Sequence, residues 1–245
     1  MTPTKVGRRY FRNHWHNWFP QLGSRANFAK QASNLWAIKQ EIQKILVYQL
    51  DGFMDDVHIS DGFPIPVCKF ARAHYSRIFK GDASYGYCAT KKETYYGFHG
   101  HLTVSLSGVI SGVVVTKAHI DEREALWEMV PPIQGLLIGD KGYISQSLQE
   151  ELLRVENIQL ETPKRRNMKD ERSPEFVKCL MSSLCTVETV IGQLTERFHI
   201  EKVRARDLWH LTNRMTRKII SHIIGVFLNR QLGKEPLQFE SLVEA

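Results

Sequence analysis

The chain has 245 residues, 42% of them hydrophobic and 24% charged, the balance of a folded protein with a real core rather than a disordered or fibrous one. Its longest apolar stretch, Ile219 to Leu228, is broken by Ser221, His222 and Gly225, and the basic N-terminus lacks an export signal's apolar run, which excludes membrane-spanning and exported classes as expectations. The net charge of +7 is blocked: residues 1–50 hold eight Lys/Arg against one acid, 51–161 ten against fifteen, 162–218 thirteen against seven, and the remainder two against three. An acidic middle between basic flanks suits a protein that gathers metal cations centrally and grips a polyanion at its edges, with plain solvated surface as the alternative. Cys68, Cys88, Cys179 and Cys185 form no CxxC pair, so reduced cytosolic thiols are expected, a zinc site being the rival reading.

The opening, from Arg8 to Phe19, mixes cations with Trp15 and Trp18. From Asn27 to Leu50 the spacing of Leu35, Ile38, Ile42, Ile45 and Leu46 predicts one amphipathic helix, so residues 1–50 read as a small helical, basic-aromatic segment. Residues 56–61 alternate as a short strand expected to stop at Gly62-Phe63-Pro64. Tyr95 to Ser105 alternates again, with Phe98, Leu102 and Val104 on one face and His99, His101 and Thr103 on the other. Ser107-Gly108 turns the chain into the β-branched run from Val109 to Thr116, completing a hairpin. Glu122 to Val130 reads as a short helix, and Gly135 to Gly139 as a buried central strand that delivers Asp140 to its end. A helix capped by Ser145, a brief strand from Asn157 to Glu161, a long helix from about Pro174 and a last one from Leu208 to Leu232 follow. The order predicts a mixed α/β domain over 51–232, with 233–245 as a tail.

Three carboxylates stand where an acid needs a reason. Asp61 and Asp140 end apolar strands, and Glu188 lies at the edge of the stripe formed by Leu184, Val187 and Ile191 on the long helix. Strand ends on one edge of a sheet converge, and a helix packed across that edge adds a third ligand. Such acids repel one another unless cations neutralise them, and a pair of magnesium ions so held serves phosphoryl transfer. Glu196 and Glu201 are the nearest competitors to Glu188; Glu196, rotated nearly a quarter turn from it on the helix, reads as solvated.

Around these acids the chain resembles the transposases of insertion-sequence family 982, in the DDE superfamily. The blocks are Asp61-Gly62-Phe63-Pro64-Ile65-Pro66-Val67-Cys68, Gly86 to Glu93 with Tyr96-Gly97-Phe98, Ile138-Gly139-Asp140-Lys141-Gly142-Tyr143-Ile144, and Val187-Glu188-Thr189-Val190 with Arg197-Phe198-His199-Ile200-Glu201. The resemblance implies an RNase H-like fold, with Asp61, Asp140 and Glu188 as catalytic ligands of two Mg²⁺ (or Mn²⁺) ions. It implies double-stranded DNA as partner, as inverted-repeat ends and as target, brought together by a homodimer in a synaptic complex in the prokaryotic cytoplasm at the nucleoid. The sequence departs from the pattern at Gly62, where the family has Ser, at His99, where Lys is expected, and before Val187, where a cation is expected.

Candidate DNA contacts are Lys141, the loop cations Arg165, Arg166 and Lys169, and the track Arg197, Lys202, Arg204 and Arg206; such contacts position DNA without reading its sequence. His99 and His101 have two readings, as accessory groups at the site or as ordinary strand histidines. Trp15 and Trp18 either stack on bases or form an aromatic mini-core. An inactive, truncated remnant that binds DNA and a stand-alone nuclease of the same fold are the alternatives to an active transposase.

Overall fold

The computed structural model describes residues 3–242. Three helices open the chain, α1 (Pro3–His14), α2 (Arg25–Asn34) and α3 (Trp36–Gln49). The single helix expected from Asn27 is therefore split at Leu35. Its apolar stripe is also turned outward: Ile38 and Ile45 are each 55% exposed, whereas Val47 and Leu50 enter the core. The side that docks on the last helix is held by polar contacts, with Lys39 Nζ donating to Asn213 Oδ1 at 2.7 Å and Asn213 Nδ2 donating to the carbonyl of Ser33 at 2.7 Å. The N-terminal aromatics pack on each other, Phe11 against Phe19 at 5.3 Å and Trp15 against Trp18 at 6.3 Å between ring centres.

Six strands form one mixed sheet: β1 (Val57–Lys69), β2 (Ser84–Cys88), β3 (Glu93–Ser105), β4 (Ile110–Lys117), β5 (Gly135–Gly139) and β6 (Ile158–Glu161). The path runs β2-β3-β1-β5-β6, with β4 also paired to β3, so the long antiparallel hairpin flanks one side of β1 and two parallel strands the other. The helices are α4 (Phe70–Ala73), α5 (Glu122–Leu126), α6 (Gln146–Glu156), α7 (Pro174–Glu196) and α8 (Leu208–Gln231). The expected cap holds, with Ser145 Oγ accepting from the Leu148 amide, and α7 is capped likewise, Ser173 Oγ accepting from the Phe176 amide.

Strand β1 does not stop at Gly62 but runs on through Pro64 and Pro66 to Lys69. Its pairing with β5 ends at Ser60, so beyond that point one edge has no neighbouring strand, and prolines are accepted on such an edge. Alternate residues of β1 serve two cores. Ile59, Phe63 and Ile65 pack with Leu180, Leu184 and Val187 of α7 and with Ile219 and Ile223 of α8. The opposite face, where Ser60 Oγ meets the Tyr143 hydroxyl, adjoins a smaller core of Leu126, Met129, Leu137, Tyr143, Leu148 and Leu152, supplied by β5, α5, α6 and the loops between. Helices thus cover both faces of a mixed sheet, an arrangement compatible with an RNase H-like fold. Among the described residues no helix is long and apolar enough to cross a membrane. Residues 233–242 fold back on α7 and α8, with Gln193 Nε2 donating to the Leu237 carbonyl at 2.7 Å and Phe239 buried beside His222.

Candidate active site

The parallel register of β1 and β5 sets Ser60 opposite Gly139, so the next residue of each strand, Asp61 and Asp140, stands beside the other where the ladder ends. Each acid is oriented by its own backbone: Asp61 Oδ1 accepts from the Gly62 amide and Asp140 Oδ1 from the Gly142 amide, both at 2.7 Å. The second contact caps a single helical turn over Lys141–Tyr143. Buried Tyr143 then anchors that turn beneath the sheet, its hydroxyl 3.3 Å from Ser60 Oγ.

Glu188 comes from α7, which packs across β1 and β5. Its neighbour Val187 is fully buried against the sheet while Glu188 itself is exposed at the helix edge. Asp61 feels the other two. Burial first, then the charges of Asp140 and Glu188, raise the carboxyl of Asp61 from an ordinary 3.8 to about 7, against the opposing pull of the Gly62 amide. No lysine or arginine is paired with any of the three among the described residues.

A fourth carboxylate, which the sequence reading passes over, lies in the same place. Glu122, at the first turn of α5, is raised to about 7 by burial, then by Asp140 and Asp61. A Cβ built on Gly142 would stand 2.8 Å from Glu122 Oε2 and 2.9 Å from Asp140 Oδ1, so these two oxygens flank one point. A Cβ on Gly62 would stand 2.6 Å from His99 Nε2 and 2.8 Å from Glu122 Oε1. Two of the three departures from the resembled pattern, Gly62 and His99, are therefore one feature: His99 and Glu122 fill the space a side chain at position 62 would need.

His99 lies 3.6 Å from Glu122 Oε1 and stacks on His101 at 4.8 Å between ring centres. His101 is fully buried and within 2.9 Å of Thr116 Oγ1; burial, then its neighbour His99, lowers it to about 4. His101 therefore sits in the packing, whereas His99 borders the acids.

The predicted DNA contacts sit in differing surroundings. Lys141 is exposed directly after Asp140. Arg165, Arg166 and Lys169 are exposed on a loop pinned by Arg172, which reaches Glu161 at 2.6 Å and Asp170 at 2.7 Å. Arg197 is tied to Glu240 at 3.3 Å, while Arg204 and Arg206 are exposed without a carboxylate partner among the described residues. Three more cations on α8 escape the sequence reading, being spaced like any helix face. Arg214, Arg217 and Lys218 are half-buried beside Arg204 and Lys202. Burial, then Arg217, Arg214, Arg204 and Lys202, pushes Lys218 down to about 8, as expected of cations crowded without a compensating acid.

The acids gathered here offer only oxygen donors, which fits a hard divalent cation. Among the described residues no group of three or more His, Cys, Asp or Glu is gathered closely enough to hold a metal ion as it stands. Helices over both faces of a mixed sheet, with one acid inside β1 and another just past the end of β5, are compatible with an RNase H-like fold. Residues 51–208 match the family described as "Transposase DDE domain", and the chain belongs to that family of DDE transposases. No curated protein matched the chain. Its function is accordingly of the transposase class, with DNA as its partner.

Proposed function

We propose that the protein catalyses divalent-metal-dependent cleavage of DNA at insertion-sequence ends and transfer of those ends into target DNA, as a member of the insertion-sequence 982 group. The observation that carries this reading is the uncompensated acidic set, Asp61 beside Asp140 by strand register and Glu188 within electrostatic reach. These three residues would hold two Mg²⁺ or Mn²⁺ ions, which when bound supply charge neutralisation and activation of the attacking oxygen. In the first reaction a water oxygen bonds to phosphorus, the P–O3′ bond breaks and the 3′-oxygen takes up a proton. In the second the freed 3′-hydroxyl attacks a target phosphodiester, one such bond forming as another breaks. Lys141 stands next to the acids to meet the scissile phosphate, and the loop and α8 cations extend the grip along the backbone. Residues 1–50 add basic charge, 51–232 do the chemistry and 233–245 form a tail; two copies would synapse two ends at the nucleoid.

The test is labelled duplex DNA carrying the element's terminal inverted repeats, incubated with the protein and Mg²⁺. Nicking at the repeat ends followed by joining to target supports the proposal. Binding with no Mg²⁺-dependent nicking identifies an inactive remnant, and nicking without joining a stand-alone nuclease.

The α8 cluster gives a separate prediction. Replacing Arg214 and Arg217 with Gln should lower the slope of log affinity against log salt by about 0.9 for each phosphate no longer neutralised, weakening all sequences alike. Thermal stability should hold or rise, because like charges are being separated. An unchanged salt slope would remove these residues from the DNA path.

A further inference from the structure

We propose that Glu122 is a fourth metal-binding carboxylate of this site, and that His99 positions it. The inference rests on the metal-dependent reading above and adds a residue to it. Asp61 shares the β1 face that packs on α7, so Glu188 approaches from that layer. Glu122 comes from α5, which contributes to the core on the other face, and reaches the same strand ends across Gly62. Acids thus approach this point from both sides of the sheet.

Three observations carry the assignment. Glu122 Oε2 and Asp140 Oδ1 lie 2.8 and 2.9 Å from the position a Cβ on Gly142 would take, so both oxygens border that glycine. Both positions where a side chain would push Glu122 away, 62 and 142, are glycine. Finally, Glu122 has no lysine or arginine partner among the described residues; His99 Nε2 lies 3.6 Å from its Oε1. A half-buried carboxylate facing two others would ordinarily be selected against or given a cation of its own, since uncompensated like charges at such range are costly. His99 stacks on His101, which is fixed to Thr116, so the imidazole is a rigid wall that keeps Glu122 turned toward Asp140.

The test is Mn²⁺ binding to the full chain, followed by calorimetry and by the paramagnetic signal of free Mn²⁺. Glu122→Gln should weaken Mn²⁺ binding at least tenfold, as should Asp140→Asn and Glu188→Gln, while Glu124→Gln, on the exposed side of the same helix, binds like the parent. Without metal, Glu122→Gln should melt at or above the parent temperature, because a repelled charge is gone; loss of a merely structural group would lower it. His99→Ala should weaken Mn²⁺ binding less than Glu122→Gln does, with Asp140 and Glu188 still needed. Should Glu122→Gln misfold, Glu122→Asp, which keeps the charge but falls one methylene short, should show the same weakening. If both Glu122 variants bind Mn²⁺ like the parent while Asp140→Asn does not, Glu122 is no ligand and the transposase reading stands. If the parent itself binds none, that reading fails and this assignment with it.

Discussion

Asp140→Asn is expected to reduce Mg²⁺-dependent nicking of repeat-end DNA by at least about a thousandfold, equivalent to roughly 4 kcal/mol of transition-state stabilisation. The substitution keeps size and shape. The amide oxygen can still accept from the Gly142 amide, so the helical turn over Lys141–Tyr143 is retained. What disappears is a negative charge at the end of β5, next to Asp61 by strand register. DNA affinity should stay within about threefold or tighten, because a charge that repels phosphate has been removed. Gel-shift titration and a nicking time course on the same preparation separate the two effects. Nicking at the parent rate would take Asp140 out of the mechanism.

The second expected result concerns pH. Asp61 and Glu122 are both held near pH 7, well above the ordinary 3.8 and 4.5 of their side chains. Between those values the folded chain keeps protons that the unfolded chain has lost. Their contribution to stability is therefore fully present below about pH 4 and is lost as pH rises through 7. Buried histidines act oppositely: burial lowers His222 to about 3 and His101 to about 4, so their contribution is present above pH 6.5 and lost as pH falls. The two trends cross in metal-free protein, and the carboxylates are best isolated by adding Mg²⁺ or Mn²⁺. Protons do the cation's work at pH 5, so metal should raise the melting temperature little there. At pH 8 it should raise it by about 5–10 °C, corresponding to roughly 3 kcal/mol once solvent screening of these half-exposed groups is allowed for. Equal stabilisation at pH 5 and pH 8 would show that the metal does not replace protons on these acids.

Much of the layout can be read from residues alone, for identifiable reasons. Gly135 to Gly139 is short, wholly apolar and ends in an acid, which describes a buried parallel strand, and the structure pairs it on both sides. Glu188 is legible because the α7 stripe of Leu184, Val187 and Ile191 fixes which side of that helix is inner. The errors are equally physical. Ile38, Ile42 and Ile45 have helical spacing, but periodicity does not say whether a partner element exists, and in α3 that face is exposed. Strand β2 is invisible in the sequence because it is five residues long and half-exposed throughout. Glu122 is easily overlooked because acids in the first turn of a helix are ordinary partners of its dipole, and Glu124 beside it fits that description. The available signal is Gly62: a missing side chain next to a key acid marks space that something else fills.

The acids at the strand ends come from positions scattered across more than half the polypeptide, and Glu188 is the last to be synthesised. On the proposed reading, a nascent chain cannot harm the chromosome until α7 has left the ribosome and settled on the sheet. The same order makes premature stops ahead of α7 a clean way to disarm the protein, leaving a strand framework without its blade.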